Sequence, residues 1–246
     1  MGVSMRLLLA VLLAVFSSIA AANADYGREK KWADEIVPSI VVGNPVYLEL
    51  KQGHKFLTLL TEAKGAKMGL IIVHGLGIHP DWGMVGTLRT QLADLGYTTL
   101  SVQMPVLANE AKGDDYAATF PEAAERIVVA VDFLQAKGYK KIAIVSHSLG
   151  SRMSLVYVRQ HPAKLVAWAS LGIGGGETYT GINIPVLDLY AEHDLPGVLT
   201  GAAARAKSLK GRAGSKQVKV AKTDHFYNQH EAEMVKAVKD FLDSVM

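Results

Sequence analysis

From Val46 onward, short runs rich in Val, Ile and Leu alternate with longer segments of helical period, and this alternation admits few folds. A strand that is apolar at successive positions is covered on both faces, so the pattern calls for a mostly parallel sheet flanked by helices. Val46 to Leu50 and Lys55 to Thr61, on either side of Gln52-Gly53, read as an opening antiparallel hairpin. Further strands are expected at Met68 to Val73, Thr98 to Val102, Lys141 to Val145, Leu165 to Leu171, Pro185 to Tyr190 and Gln217 to Ala221. Helices are expected between them: Val85, Leu88, Leu92 and Leu95 recur at helical spacing before Gly96, and Ile127, Val128, Val131 and Leu134 do so between Pro121 and Gly138. Others fall at Leu149 to Gln160, Leu199 to Leu209 and across Val235 to Val245, for a total of about eight strands and six helices.

The first 24 residues stand apart from this pattern. Arg6 precedes ten apolar residues, Leu7 to Phe16, and Ala22-Asn23-Ala24 is a small-x-small site, which together predict a cleavable secretory signal. The apolar run is short for a membrane span, which needs about 20 residues. Cleavage after Ala24 would leave 25–246 as one exported domain, periplasmic or secreted, with no stable membrane insertion. The formal charge of +3 is too small for a dedicated nucleic-acid binder. Cysteine is absent, which excludes disulfides, thiolate metal sites and cysteine nucleophiles.

Chemistry concentrates at the strand ends. Ser146-His147-Ser148-Leu149-Gly150 follows one predicted strand directly and precedes a helix, a placement that lifts the Ser148 hydroxyl above the sheet. Ser146 stands where such elbows usually have glycine. A serine needs a histidine to take its proton and a carboxylate to orient that histidine. Asp194 lies in a loop after a strand, with Glu192 a closer competitor than Asp188, which falls within the strand. His225 lies between the last strand and the last helix, whereas His230 belongs to the helix start.

The amide after the nucleophile, Leu149, is expected to hold a developing oxyanion. A second donor is expected from His74-Gly75-Leu76-Gly77, with Leu76 first and Gly77 next. Gly75, Gly77, Trp82, Met104 and Tyr179 are expected to wall the substrate pocket. His74, His79 and Asp81 match no standard metal spacing, so neither metal nor cofactor is anticipated. Gly172-Ile173-Gly174-Gly175-Gly176 lacks the Lys-Ser/Thr of a nucleotide-binding loop. Seven basic residues and no acidic ones lie between Asp194 and Asp224, a segment read first as a solvated face and second as a contact for anionic envelope polymers or lipid headgroups.

Taken together, the His-Gly turn, the serine elbow, the late Asp and the late His resemble the α/β-hydrolases from about Val46 to Met246. The blocks Gly75 to Trp82, Leu100 to Leu107 and Leu187 to Leu199 further resemble a family of exported bacterial α/β-hydrolases of unknown function. The resemblance implies the fold and a hydrolase-type triad of Ser148, Asp194 and His225, and it supplies no substrate. The chemistry of such a triad leads to the expectation of a small-molecule or lipid-like acyl substrate, an ester first and a thioester or amide next. The rival expectation is a catalytically silent scaffold that binds an envelope component. About a dozen residues separate Leu171 from Pro185, too few for a cap domain, so an open site favouring short or medium acyl groups is expected. The loop Ala108 to Thr119 is the remaining segment that could cover it.

Overall fold

The computed structural model describes residues 24–161 and 163–246; the predicted signal lies outside them except for Ala24. Helix α1 (Tyr26–Ile36) leads into an antiparallel hairpin of β1 (Asn44–Glu49) and β2 (Lys55–Thr61). Then follow β3 (Gly69–Val73), α2 (Gly83–Asp94), β4 (Thr98–Val102), α3 (Phe120–Ala136), β5 (Ile142–His147) and α4 (Leu149–Gln160). The chain closes with β6 (Ala167–Leu171), β7 (Val186–His193), α5 (Pro196–Leu209), β8 (Lys216–Asp224) and α6 (Glu231–Ser244). The sheet runs β1-β2-β4-β3-β5-β6-β7-β8, antiparallel at its first end and parallel from β4 to β8.

The apolar runs of the central strands follow from burial on both sides. Ile71, Val73, Ile142 and Ile144 pack with α3 and α4, while Leu70, Ile72, Ala143 and Val145 pack with α2 and α6. Side chains alternate along a strand, so each strand must be apolar at both parities. At the end of α2 the sequence pattern overreaches: Leu95 is the C-cap and 44% exposed, because the helix stops at Asp94 and Gly96 takes φ +92°. Among the described residues no helix is long and apolar enough to cross a membrane.

Helix α1 carries no apolar stripe that would announce it. Its inner face is mixed: Ala33 and Ile36 pack with Leu57 and Leu59, while Glu29 is buried and receives hydrogen bonds from Arg126 Nη1 at 2.9 Å and Nη2 at 3.0 Å. Arg126, on α3 and fully buried, also donates to the Gln103 carbonyl at 2.8 Å and pairs with Glu122. From the same helix Arg28 donates to the carbonyls of Leu107 and Gly77. Thus α1 fastens two loops at the carboxyl edge of the sheet, where the functional side chains emerge. Removing one partner of a buried pair leaves the other charge uncompensated. Glu29→Ala is expected to lower the unfolding free energy by about 3 kcal/mol in urea titration; an unchanged midpoint would show that Glu122 alone satisfies Arg126.

Candidate active site

Ser148 occupies the single residue between β5 and α4, with φ +54° and ψ −123°. Side chains rarely adopt this conformation, and it persists only where the surroundings fix it. The Ser148 amide donates to the Leu171 carbonyl at 2.8 Å, and its carbonyl accepts from the Ser151 amide at 2.9 Å. Glycine at 150 is obligatory, since a Cβ there would lie 2.2 Å from the His74 carbonyl oxygen. Position 146 tolerates serine because its hydroxyl, fully buried, accepts from Trp168 Nε1 at 2.8 Å and bonds to the Ser151 hydroxyl at 3.0 Å.

Two further strand ends bring their side chains to Ser148. His225 directly follows β8, and its Nε2 lies 2.9 Å from Ser148 Oγ. Asp194 directly follows β7, and its Oδ1 lies 2.5 Å from His225 Nδ1. The acid can only accept, so His225 carries its proton on Nδ1 and offers Nε2 to the serine hydroxyl. Burial works to raise the Asp194 pKa, but hydrogen bonds from His225 and from the Ala191 and Leu195 amides outweigh it and hold the carboxyl below the usual aspartate range. Glu192 points elsewhere, to Lys219 and the Lys222 amide; Asp188 is committed to Arg205, Tyr179 and Gln217. His230 contacts Glu233 at 3.3 Å.

A family model described as a protein of unknown function (DUF3530) matches residues 46–126. Protein ABHD14A of Danio rerio is 26% identical over 187 residues, which cover 73% of this chain and 66% of that protein, so the chain spans just under two thirds of that relative. Among solved structures, XC6422 from Xanthomonas campestris, described as an α/β serine hydrolase without a lid, superposes with a TM-score of 0.66 at 14% identity, covering 83% of this chain and 95% of that one. Dienelactone hydrolase from Anabaena variabilis gives 0.68 at 17% identity, covering 82% and 97%. The chain has the α/β-hydrolase fold.

In this α/β-hydrolase fold the Ser148 hydroxyl opens on a cleft of about 250 Å³. Leu76, Leu149, Leu195 and Val198 give it apolar walls, five glycines give it backbone, and Arg152 is its one charged side chain. The Leu149 amide is the first of α4 and so has no partner within the helix. Leu76, 42% exposed, faces the mouth, and its amide makes no hydrogen bond among the described residues. The loop 108–119 reaches the cleft through Gly113, while 172–185 is pinned by buried Ile173, Tyr179 and Ile182 and inserts no domain.

Several expected pocket residues sit elsewhere. Met104 is fully buried in the core beside α3 and α4, because its amide is turned inward to His74 Nε2 at 2.9 Å. Tyr179 is likewise buried, with its hydroxyl donating to Asp188 at 2.8 Å. Gly75 lies behind the serine, where a Cβ would approach Ser148 Cβ to 3.1 Å. The Gly77 carbonyl is held by Arg28, and Trp82 meets Phe226 edge-on at 5.3 Å, beside the cleft rather than within its lining. The basic segment is not one open face either: Arg205 is buried on Asp188, Arg212 donates to the Tyr179 carbonyl and Lys219 pairs with Glu192.

Two histidines serve the framework. His147 donates from Nε2 to the His225 carbonyl at 2.9 Å, with the two rings 4.6 Å apart, and so fixes the loop that carries His225. No spacing rule flagged it. His74 donates from Nδ1 to the Gly75 carbonyl at 2.9 Å and stiffens the turn that leads to Leu76. His79 accepts from the Asp81 amide and Asp81 pairs with Arg89; among the described residues no three His, Asp or Glu side chains gather to hold a metal ion. Gly172, at φ +59°, leaves room for the His225 ring, which a Cβ would approach to 2.9 Å.

Burial lowers the pKa of both His74 and His147 to about 3. In the unfolded chain they take up protons near pH 6.5, so acid favours unfolding. Their stabilising contribution is complete above pH 6.5 and is lost as pH falls toward 3; by pH 4 the loss is about 3 kcal/mol for each. Asp194, with its own folded pKa lowered, adds to the loss in still stronger acid. Urea titrations from pH 7 to 4 are expected to show this decline. A flat profile would mean that neither imidazole is held neutral.

Proposed function

We propose that the protein is a serine hydrolase that cleaves an ester or related acyl bond through an acyl-serine intermediate. The observation that carries this reading is the unbroken hydrogen-bonded chain from Ser148 Oγ to His225 at 2.9 Å and from His225 to Asp194 at 2.5 Å. As Ser148 Oγ attacks the substrate carbonyl, its proton moves to His225 Nε2, and Asp194 stabilises the imidazolium that forms. The carbonyl oxygen, now an oxyanion, is held by the Leu76 and Leu149 amides. Collapse expels the alcohol, which leaves with the proton from His225. Water then gives a proton to His225 and attacks the acyl group, releasing the acid and restoring Ser148.

The reaction draws on no cofactor. Relatives named as serine hydrolase and dienelactone hydrolase support small acyl substrates. The N-terminal segment supports action outside the cytoplasm, in the periplasm or beyond.

A fluorophosphonate probe is expected to label the purified protein and to fail on Ser148→Ala. Asp194→Asn is expected to lower kcat about 10⁴-fold, while Glu192→Gln stays near the parent value. Absence of labelling in the parent would remove the hydrolase reading in favour of a silent scaffold. The small, uncapped cleft also predicts that, for chromogenic esters from acetate to palmitate, the specificity constant peaks at short or medium chains. A rise continuing to palmitate would contradict it.

A further inference from the structure

We infer that the acyl group this site is built for carries its own carboxylate at the far end of a short chain, and that Arg152 binds it. The inference rests on the hydrolase reading and deepens it. Arg152, on α4 four residues after Ser148, lines the same cleft as the serine. Among the described residues it is the only charged one in the cleft lining.

Its pairing is incomplete. The buried arginines Arg89, Arg126 and Arg205 each hold a carboxylate within 3.0 Å, and the partly buried Arg28 and Arg212 donate to backbone carbonyls. Arg152 Nε is buried with no hydrogen-bond partner, and its nearest acid, Glu177, lies at 4.0 Å. Glu177 is shared with Arg159 at 3.9 Å, so two guanidiniums meet one carboxylate and neither forms a close pair. The Arg152 side chain is nonetheless fixed in place, between the Phe120 ring at 5.4 Å and the backbone of Gly175, where a Cβ would come within 3.0 Å of Nε. Nε itself is enclosed, but no Arg152 donor is hydrogen-bonded among the described residues, and the Nη groups are not enclosed, so they are the donors left to a planar anion in this apolar-walled cleft. The first turns of α4 and α5, which border the same cleft, add positive potential.

The side of the substrate follows from proton transfer. His225 must reach the leaving alkoxide, and beside it stand Phe226 and Trp82, the residue that caps α2, a helix that covers one face of the sheet. Arg152 packs on Phe120 over the opposite face, covered by α3 and α4. With the carbonyl at Ser148 and the alcohol toward Trp82, the remainder of the acyl chain runs toward Arg152. The substrate class is therefore a half-ester of a short dicarboxylic acid.

Monoethyl glutarate and ethyl valerate have acyl chains of equal length and differ in that carboxylate. The specificity constant of the parent protein, read by acid release, is expected to favour the glutarate about tenfold or more. Arg152→Gln should erase this ratio mainly through KM, Arg152→Lys should keep part of it, and Glu177→Gln should raise it by removing the competing acid. Thermal unfolding of each variant separates lost recognition from lost fold. A second pair, 3-carboxyphenyl butyrate and phenyl butyrate, places the anion on the alcohol and should show no such preference. A parent ratio near one, a ratio unchanged in Arg152→Gln, or a preference confined to the second pair would overturn the inference while fluorophosphonate labelling left the hydrolase reading intact. If neither ester turns over, calorimetric titration of both into Ser148→Ala decides: tighter binding of monoethyl glutarate that Arg152→Gln abolishes supports the inference, and equal binding overturns it.

Discussion

The backbone of Ser148 is the constraint on which the rest of the site depends. A side chain at φ +54° and ψ −123° costs on the order of 1–3 kcal/mol, and the molecule holds it there by packing rather than by local preference. The Leu171 carbonyl on the neighbouring strand fixes the amide, Gly150 lets the helix press against the His74 carbonyl, and Gly75 lets the adjacent turn close behind the serine. Each of these contacts requires β3, β5 and β6 to lie side by side in parallel register. The parallel sheet is in that sense the device that sets the hydroxyl's position, and β7 and β8 deliver Asp194 and His225 to the same edge.

Burial then divides the ionisable groups by task. His74 and His147, both enclosed, are kept neutral and spend their hydrogen bonds on backbone carbonyls and amides. Asp194 is buried as well, yet three donors keep it charged. Arg126 and Arg205 are neutralised by close carboxylates, whereas Arg152 is left without one. Identical side-chain types therefore act as framework or as open binding capacity according to which partners the fold supplies.

How far these features could be read in the sequence follows from their physical origin. The central strands were legible because burial on both faces forces apolar residues at both parities, and Ser148, Asp194 and His225 were legible because each follows such a run; the strands extend to His147, His193 and Asp224, beyond the apolar runs that marked them. Helix α1 was not, since its inward face sets a glutamate on a buried arginine beside only Ala33 and Ile36, too few apolar residues to make a stripe. Met104 and Tyr179 were misplaced for a related reason: proximity to the sheet edge in sequence does not say which way a loop residue turns, and both turn inward to satisfy polar partners. Arg152 carried no sequence signal because its significance lies in an absent partner, which only the three-dimensional arrangement reveals.

The central claim is that Ser148 becomes covalently acylated during turnover. The direct measurement is rapid acid quench of the reaction with 4-nitrophenyl acetate, followed by mass analysis of the protein and its peptides. The account predicts a burst of nitrophenolate approaching one equivalent of enzyme and an acetyl group on the peptide containing Ser148, both absent in Ser148→Ala. Sustained hydrolysis with no adduct at Ser148, persisting in Ser148→Ala, would contradict it.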